Sequence, residues 1–280
     1  AEDGIRAVER SRGLGDVYKR QGLKDIIKSN RFFGSIQVQY MLFKNFQARF
    51  SFGIDDGDLR NDKTYPADLF YAFYPKGARR IYNRQNTQFT YNLDANYTYS
   101  IMPGLNINSN IGAQVFDRKI KTFNLQKKDY LSELITNIGA GETFETGDET
   151  YTHLREAGIF TNHSISYLGQ YFFTLSLRKD YASAIGAKAP SIYYPGASMA
   201  IRLDKYKFFP SLFNLMKVRA AYGESGVLPG LVAGIPLLWE AEPSGYGAGA
   251  VLSAIGNNEI KPERIKEFEV GFEAEVFTYY

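Results

Sequence analysis

The stretch Phe89-Thr-Tyr-Asn-Leu-Asp-Ala-Asn-Tyr-Thr-Tyr-Ser-Ile101 decides the fold. Phe89, Tyr91, Leu93, Ala95, Tyr97, Tyr99 and Ile101 are apolar or aromatic, and Thr90, Asn92, Asp94, Asn96, Thr98 and Ser100 between them are polar. A strict period of two puts the two sets on opposite faces of one extended strand. The run is about twice as long as the roughly 5 to 6 residues of an average soluble strand.

The same alternation recurs on both sides of it. Phe32, Ile36, Val38, Tyr40 and Leu42 oppose Ser35, Gln37 and Gln39, and Phe46, Ala48, Phe50, Phe52 and Ile54 oppose Gln47, Arg49, Ser51 and Asp55. Downstream, Leu105, Ile107, Ile111, Ala113 and Val115 form a further apolar row, as do Tyr171, Phe173, Leu175 and Leu177. Ala197, Met199, Ile201 and Leu203 follow, then Met216, Val218, Ala220 and Tyr222, and finally Phe268, Val270, Phe272, Ala274 and Val276. A less regular member runs from Tyr151 to Tyr167. Together these predict nine strands.

The connections alternate in length. Short ones fall near 43–45, 102–104 and 168–170, with a longer one over 205–215; long polar loops are expected over 56–86, 119–150, 183–192 and 225–264. Aromatics gather at the short-turn ends: Tyr40, Phe43 and Phe46; Tyr97 and Tyr99; Tyr167 and Tyr171. Long alternating strands, short turns on one side, long loops on the other and an aromatic girdle predict an all-β chain forming part of a transmembrane antiparallel β-barrel. The competing reading is a soluble β-sandwich or lipocalin-like barrel, since any half-buried sheet alternates. The strand lengths, the crowded polar faces and the loop lengths weigh against it.

Composition closes other doors. The net charge of +3 lacks the basic excess of a nucleic-acid binder. With no Cys, thiolate catalysis, disulfides and Cys-based zinc sites are excluded. His153 and His163, the two histidines, share a face of one strand about 30 Å apart, too far for one metal ion. No catalytic motif is visible. Aromatic residues make up 15% of the chain, with 21 Tyr and 21 Phe, which favours strands and surfaces apolar on one side and wet on the other.

Residues 1–21 have no periodicity joining them to the rest; the segment from Ser11 to Gln21 resembles translated adaptor sequence and is expected to be a non-native or disordered leader, with the barrel domain over 22–280. An open sheet edge in lipid costs several kcal/mol for each unpaired backbone group, roughly speaking, so nine strands are expected to be completed by others outside this chain.

Three segments carry a family resemblance. Asn30-Arg-Phe-Phe-Gly-Ser-Ile-Gln-Val-Gln-Tyr40 resembles a barrel strand of SusC/RagA-type TonB-dependent receptors. Phe209-Pro-Ser followed by Met216-Lys-Val-Arg-Ala-Ala-Tyr-Gly-Glu-Ser-Gly226 resembles a second, and Asn257-Asn-Glu-Ile-Lys-Pro-Glu-Arg-Ile-Lys-Glu-Phe-Glu-Val-Gly-Phe272 a third. The last is the most specific, and Lys261, Pro262, Glu263, Glu267 and Gly271 are its motif positions. The resemblance covers roughly 30–280. Departures at Asp180-Tyr-Ala-Ser-Ala184 and at Val227 mark a divergent branch.

The resemblance implies about nine strands of a 22-stranded barrel whose plug domain lies outside this chain. It implies active import, through the outer membrane of a Gram-negative bacterium of the Bacteroidota type, of a large nutrient such as an oligosaccharide or peptide. The implied partners are the TonB-ExbB-ExbD energy transducer, a SusD-like surface lipoprotein and outer-membrane lipid, with no cofactor, no metal and no enzymatic step. A passive porin and an iron-chelate (siderophore) receptor are the alternatives, with a barrel enzyme or adhesin behind them.

Candidate ligand contacts are loop aromatics: Tyr71, Phe73 and Tyr74 in the run Leu69-Phe-Tyr-Ala-Phe-Tyr74, and Trp239 and Tyr246 in the longest loop. They would stack on sugar rings or apolar groups, or else pack on the protein itself. Asp55-Asp-Gly-Asp58 is expected to be a solvated turn rather than a calcium site, because its spacing misses the EF-hand template. Glu267, Glu269, Glu273 and Glu275 form a one-sided carboxylate row that is expected to line the lumen, partly paired with cations.

Overall fold

The computed structural model describes residues 23–67, 74–132, 137–210, 212–230, 233–244 and 247–276. The expected leader at 1–21 lies outside these residues.

The chain is a succession of strands: β1 (Lys24–Phe43), β2 (Phe46–Tyr65), β3 (Ala78–Met102), β4 (Leu105–Tyr130), β5 (Gly141–Tyr167), β6 (Tyr171–Ala182), β7 (Ile192–Arg202), β8 (Phe213–Val227), β9 (Leu238–Ser244), β10 (Gly247–Ala254) and β11 (Glu263–Val276). Nine of them form one sheet in the order β1-β2-β3-β4-β5-β6-β7-β8-β11, and β9 and β10 make a separate hairpin. β5 and β6, β6 and β7, and β8 and β11 pair antiparallel, in registers that set Ile165 opposite Phe173, Leu175 opposite Ala197 and Phe272 opposite Val218. Each apolar row therefore continues from strand to strand on one face.

That face is exposed. Phe32 is 65% exposed, Ile111 59%, Leu175 54% and Phe272 75%. The buried apolar residues among those described are Ala78, Tyr130, Ala184, Ile192 and Tyr194. A soluble sandwich would bury its alternating rows against a second sheet; here, among the described residues, the rows stay exposed. Burying them in lipid is the arrangement that satisfies the hydrophobic effect.

The turns match their expected places. Lys44 and Asn45 join β1 to β2, Pro103 and Gly104 join β3 to β4, and Leu168–Gln170 join β5 to β6. The β3–β4 and β5–β6 turns interlock: the Leu168 amide donates to the Gly104 carbonyl at 2.7 Å. A Cβ at Gly104, where φ is +84°, would collide with the Leu168 side chain, so that position requires glycine. Aromatic rings also cluster at these turn ends. Phe43 lies 5.5 Å from Phe46 and Tyr97 lies 5.1 Å from Tyr99, centroid to centroid. Tyr167 stacks on Tyr171 at 6.2 Å, and the Tyr171 and Tyr206 hydroxyls are 2.7 Å apart.

The long loops are where the structure corrects the sequence. Most of 56–86 and 119–150 is strand: β2 and β3 run to Tyr65 and from Ala78, and β4 and β5 to Tyr130 and from Gly141. The Asp55–Asp58 segment is strand too, not a turn; Asp55 pairs with Arg31 and Asp56 accepts from Thr87. The 225–264 region contains the β9–β10 hairpin. A membrane crossing needs only about 9 to 11 residues, so 26-residue β4 extends well beyond it. Beyond the lipid neither face must be apolar, so the alternation fades while the backbone ladder persists.

Contacts divide the chain into two compact units. One comprises the described residues up to Gly34 with Ile54–Gln88 and Arg118–His153; the other comprises Ser35–Gly53, Phe89–Asp117 and the described residues from Leu154 onward.

Candidate functional site

The polar face of the second unit carries a cavity of about 800 Å³ whose lining includes Arg49, Asp94, Asn162, Arg178, Asp180 and Tyr194. Strand alternation delivers each of these side chains to the face opposite the lipid row. Arg49 on β2 grips Asp94 on β3 with two parallel bonds, Nε to Oδ1 at 3.0 Å and Nη2 to Oδ2 at 3.2 Å. Asn92 donates to Ser51 at 3.1 Å one step further along the same two strands. Arg178 Nε donates to Asp180 Oδ1 at 2.6 Å. Every cation here meets a carboxylate, so the wall is charged but locally neutral. Such a surface offers many hydrogen-bond partners without holding one ionic ligand tightly.

Glycine shapes the recess. Gly112, Gly158, Gly196 and Gly223 occupy polar-face positions on β4, β5, β7 and β8. The Phe160 ring lies over Gly112 and the Arg178 guanidinium over Gly158, each so close that a Cβ there would push it aside. Long side chains lie flat along the wall, and the space above them stays open. The sequence reading missed this cavity; its signal was the repeated glycine at the polar parity of long strands.

The motif segment has a structural role. The Asn257 amide donates to the Ala233 carbonyl at 2.8 Å, Lys188 N to Asn258 O at 2.9 Å and Gly186 N to Ile260 O at 3.2 Å. Residues 256–260 thus tie two connections together immediately before Lys261 and Pro262, and β11 begins at Glu263. Glu267 and Gly271 follow on the polar face of β11, opposite Gly223 and Arg219. Of the carboxylate row, Glu273 faces Lys217, with Nζ 3.9 Å from Oε2. Arg264 and Lys266 instead reach Glu224, at 3.1 and 3.8 Å.

The loop aromatics divide. Tyr71, Phe73 and Tyr246 lie outside the described residues. Trp239 sits on β9 opposite Leu252 and is 59% exposed. Tyr74, in the first unit, is engaged: it packs on Tyr65 at 5.1 Å and accepts from Gln126 at 2.7 Å. Gln126 also donates to Glu145 at 2.8 Å, and Lys128 pairs with that carboxylate at 2.7 Å. The Lys128 ammonium holds the Glu145 carboxyl below the usual carboxylate range. At the β2–β3 tip, Arg79 does the same to Asp62 through bonds of 2.9 and 2.6 Å.

A family model described as TonB dependent receptor-like, beta-barrel, matches residues 7–280. The chain belongs to that family. No curated protein matches the sequence. Among solved structures, this TonB-dependent receptor barrel segment resembles the RagAB peptide transporter at 15% identity and a TM-score of 0.84, covering 93% of this chain and 29% of that one. It resembles the RagAB peptide importer in its 'open-open' state at 15% identity and a TM-score of 0.82, with the same coverage. The ferric preacinetobactin receptor BauA of Acinetobacter baumannii matches at 13% identity and a TM-score of 0.51, over 90% of this chain and 36% of that one. At these identities the likeness is one of fold. The segment is part of a TonB-dependent receptor β-barrel whose fold resembles the matching part of RagAB, and it spans 29% of the RagAB chains it matches. Its family and matched structures are receptors and transporters, not enzymes.

Proposed function

We propose that the protein containing this segment is a SusC-like importer of a large nutrient, an oligosaccharide or peptide, in the outer membrane of a Gram-negative bacterium. TonB-ExbB-ExbD supplies the energy through a plug domain, and a SusD-like surface lipoprotein presents the nutrient at the barrel mouth. The observation that carries the reading is the fold likeness to the RagAB peptide transporter, at a TM-score of 0.84 over 93% of the chain. The locally neutral, hydrogen-bonding wall around Arg49–Asp94 and Arg178–Asp180 suits passage of a polar cargo that must also leave. Loop aromatics Tyr71, Phe73, Tyr74, Trp239 and Tyr246 make the first contacts.

Uptake of labelled peptides and oligosaccharides by cells carrying the full-length gene, with and without TonB, tests this. Uptake that requires both the gene and TonB supports it; uptake indifferent to TonB points to a passive porin. An iron-chelate receptor is the second reading, favoured by the likeness to BauA. TonB-dependent uptake of ferric chelates alone would establish it in place of the first.

A further inference from the structure

At the upper edge of the lipid-facing row on β6 the pattern changes from Leu175 and Leu177 to Lys179 and Tyr181, all on one face. The cross-strand partners of Lys179 on that face are Ile159 on β5 and Tyr193 on β7. Its ammonium stands 4.9 Å from the centroid of the Tyr181 ring and 5.3 Å from that of Tyr193. Both tyrosines are nearly half exposed, and beneath them Leu175, Leu177 and Ile159 are exposed on the same apolar face. The nearest outward-facing cation on β5, Arg155, is already held by Asp117 at 2.8 Å. Among the described residues the side-chain partners of Lys179 are Tyr181 and Tyr193, with no carboxylate beside them.

We propose that Lys179, Tyr181 and Tyr193 form a binding site for the phosphate of a phosphorylated membrane lipid in the leaflet on the long-loop side. The rings steady the ammonium from two sides without neutralising it, leaving N–H donors and two phenol hydroxyls for phosphate oxygens. The acyl chains would run down Leu177, Leu175 and Ile159. A cation placed where an apolar row ends is at the depth where lipid phosphates lie. A free phosphate ion would gain the charge contact but none of the apolar contact, so the surface selects the lipid.

The test uses the full-length protein in detergent and native mass spectrometry with diphosphoryl lipid A, its dephosphorylated form and inorganic phosphate. The wild type is expected to retain the phosphorylated lipid over the dephosphorylated one, and Lys179→Gln to lower that retention roughly fivefold. Lys179→Arg keeps it, and Tyr181→Leu with Tyr193→Leu weakens it. Equal retention of both lipid forms by the wild type overturns the proposal without recourse to any variant. So does a folded Lys179→Gln protein, verified by heat-resistant gel migration, that binds like the wild type. Displacement of the lipid by millimolar inorganic phosphate would show a free-anion site and overturn the lipid assignment.

Discussion

His163 Nδ1 lies 2.9 Å from Ser109 Oγ, on the face that β4 and β5 turn to the lipid. The other ring nitrogen is 3.0 Å from Thr161 Oγ1, and that hydroxyl donates to the Asn110 carbonyl at 3.2 Å. An imidazole among Ile107, Ile111 and Ile165 would be costly with an unpaired nitrogen. Here both nitrogens are engaged, which makes the residue tolerable in an apolar row.

Ser109→Ala removes one partner and leaves a ring nitrogen facing hydrocarbon. The expected cost is about 1–3 kcal/mol, read as a lower urea midpoint for unfolding of the full-length protein in detergent. Replacing both groups together, Ser109→Ala with His163→Leu, is expected to recover most of the loss. A single variant as stable as the wild type would contradict this account.

Gly112 lies under the Phe160 ring, so close that a Cβ there would push the ring aside. Gly112→Val forces the ring off the wall and is expected to cost about 1–3 kcal/mol. Adding Phe160→Ala should relieve the clash and restore the midpoint. Failure of the second change to help would mean that backbone strain, not the ring, sets the cost.

Asp62 is held below the ordinary carboxylate range by Arg79. A carboxyl with a depressed folded pKa contributes stability above its unfolded value, about 4, and that contribution vanishes as pH falls through the folded value. A spin label at Lys76 should therefore gain mobility when the pH drops from 5 to about 2.5. In Asp62→Asn the label should be mobile at both ends of that range. Unchanged mobility in the wild type would remove the pair from the forces ordering the tip.

Tyr74 and Trp239 should respond differently to truncation. Tyr74→Ala breaks the Tyr65 packing and the Gln126 bond, so both thermal stability and nutrient affinity are expected to fall. Trp239 is mostly exposed, so Trp239→Ala should leave melting within about 0.5 kcal/mol and weaken binding by a factor of about 10, the scale of an aromatic anchor. Isothermal titration with the nutrient identified by the uptake assay separates the two effects. Unchanged binding in Trp239→Ala would take the hairpin out of the capture surface.

The amount legible in the sequence follows from how strongly lipid constrains each residue. Within the membrane-facing stretch every second residue must be apolar, so Phe89–Ile101 announces its strand, its faces and its place in the sheet. Past Ile54 on β2 or Val115 on β4 that constraint ends, and the strand continues to Tyr65 or Tyr130 on hydrogen bonds alone. Backbone ladders leave no mark in side-chain alternation, so those extensions read as loops. The β9–β10 hairpin was hidden for the same reason.

The sequence by itself determined the strand number of the main sheet, which residues face lipid and where the short turns lie. All three depend on a residue's own polarity and its parity along the chain. Only the tertiary structure decided which polar residues meet. Arg49 joins Asp94 across 45 positions, and His163 joins Ser109 across 54. Those partners are set by strand order and register, and the stagger between neighbouring strands comes from pairing the whole ladder, not from any one strand's pattern.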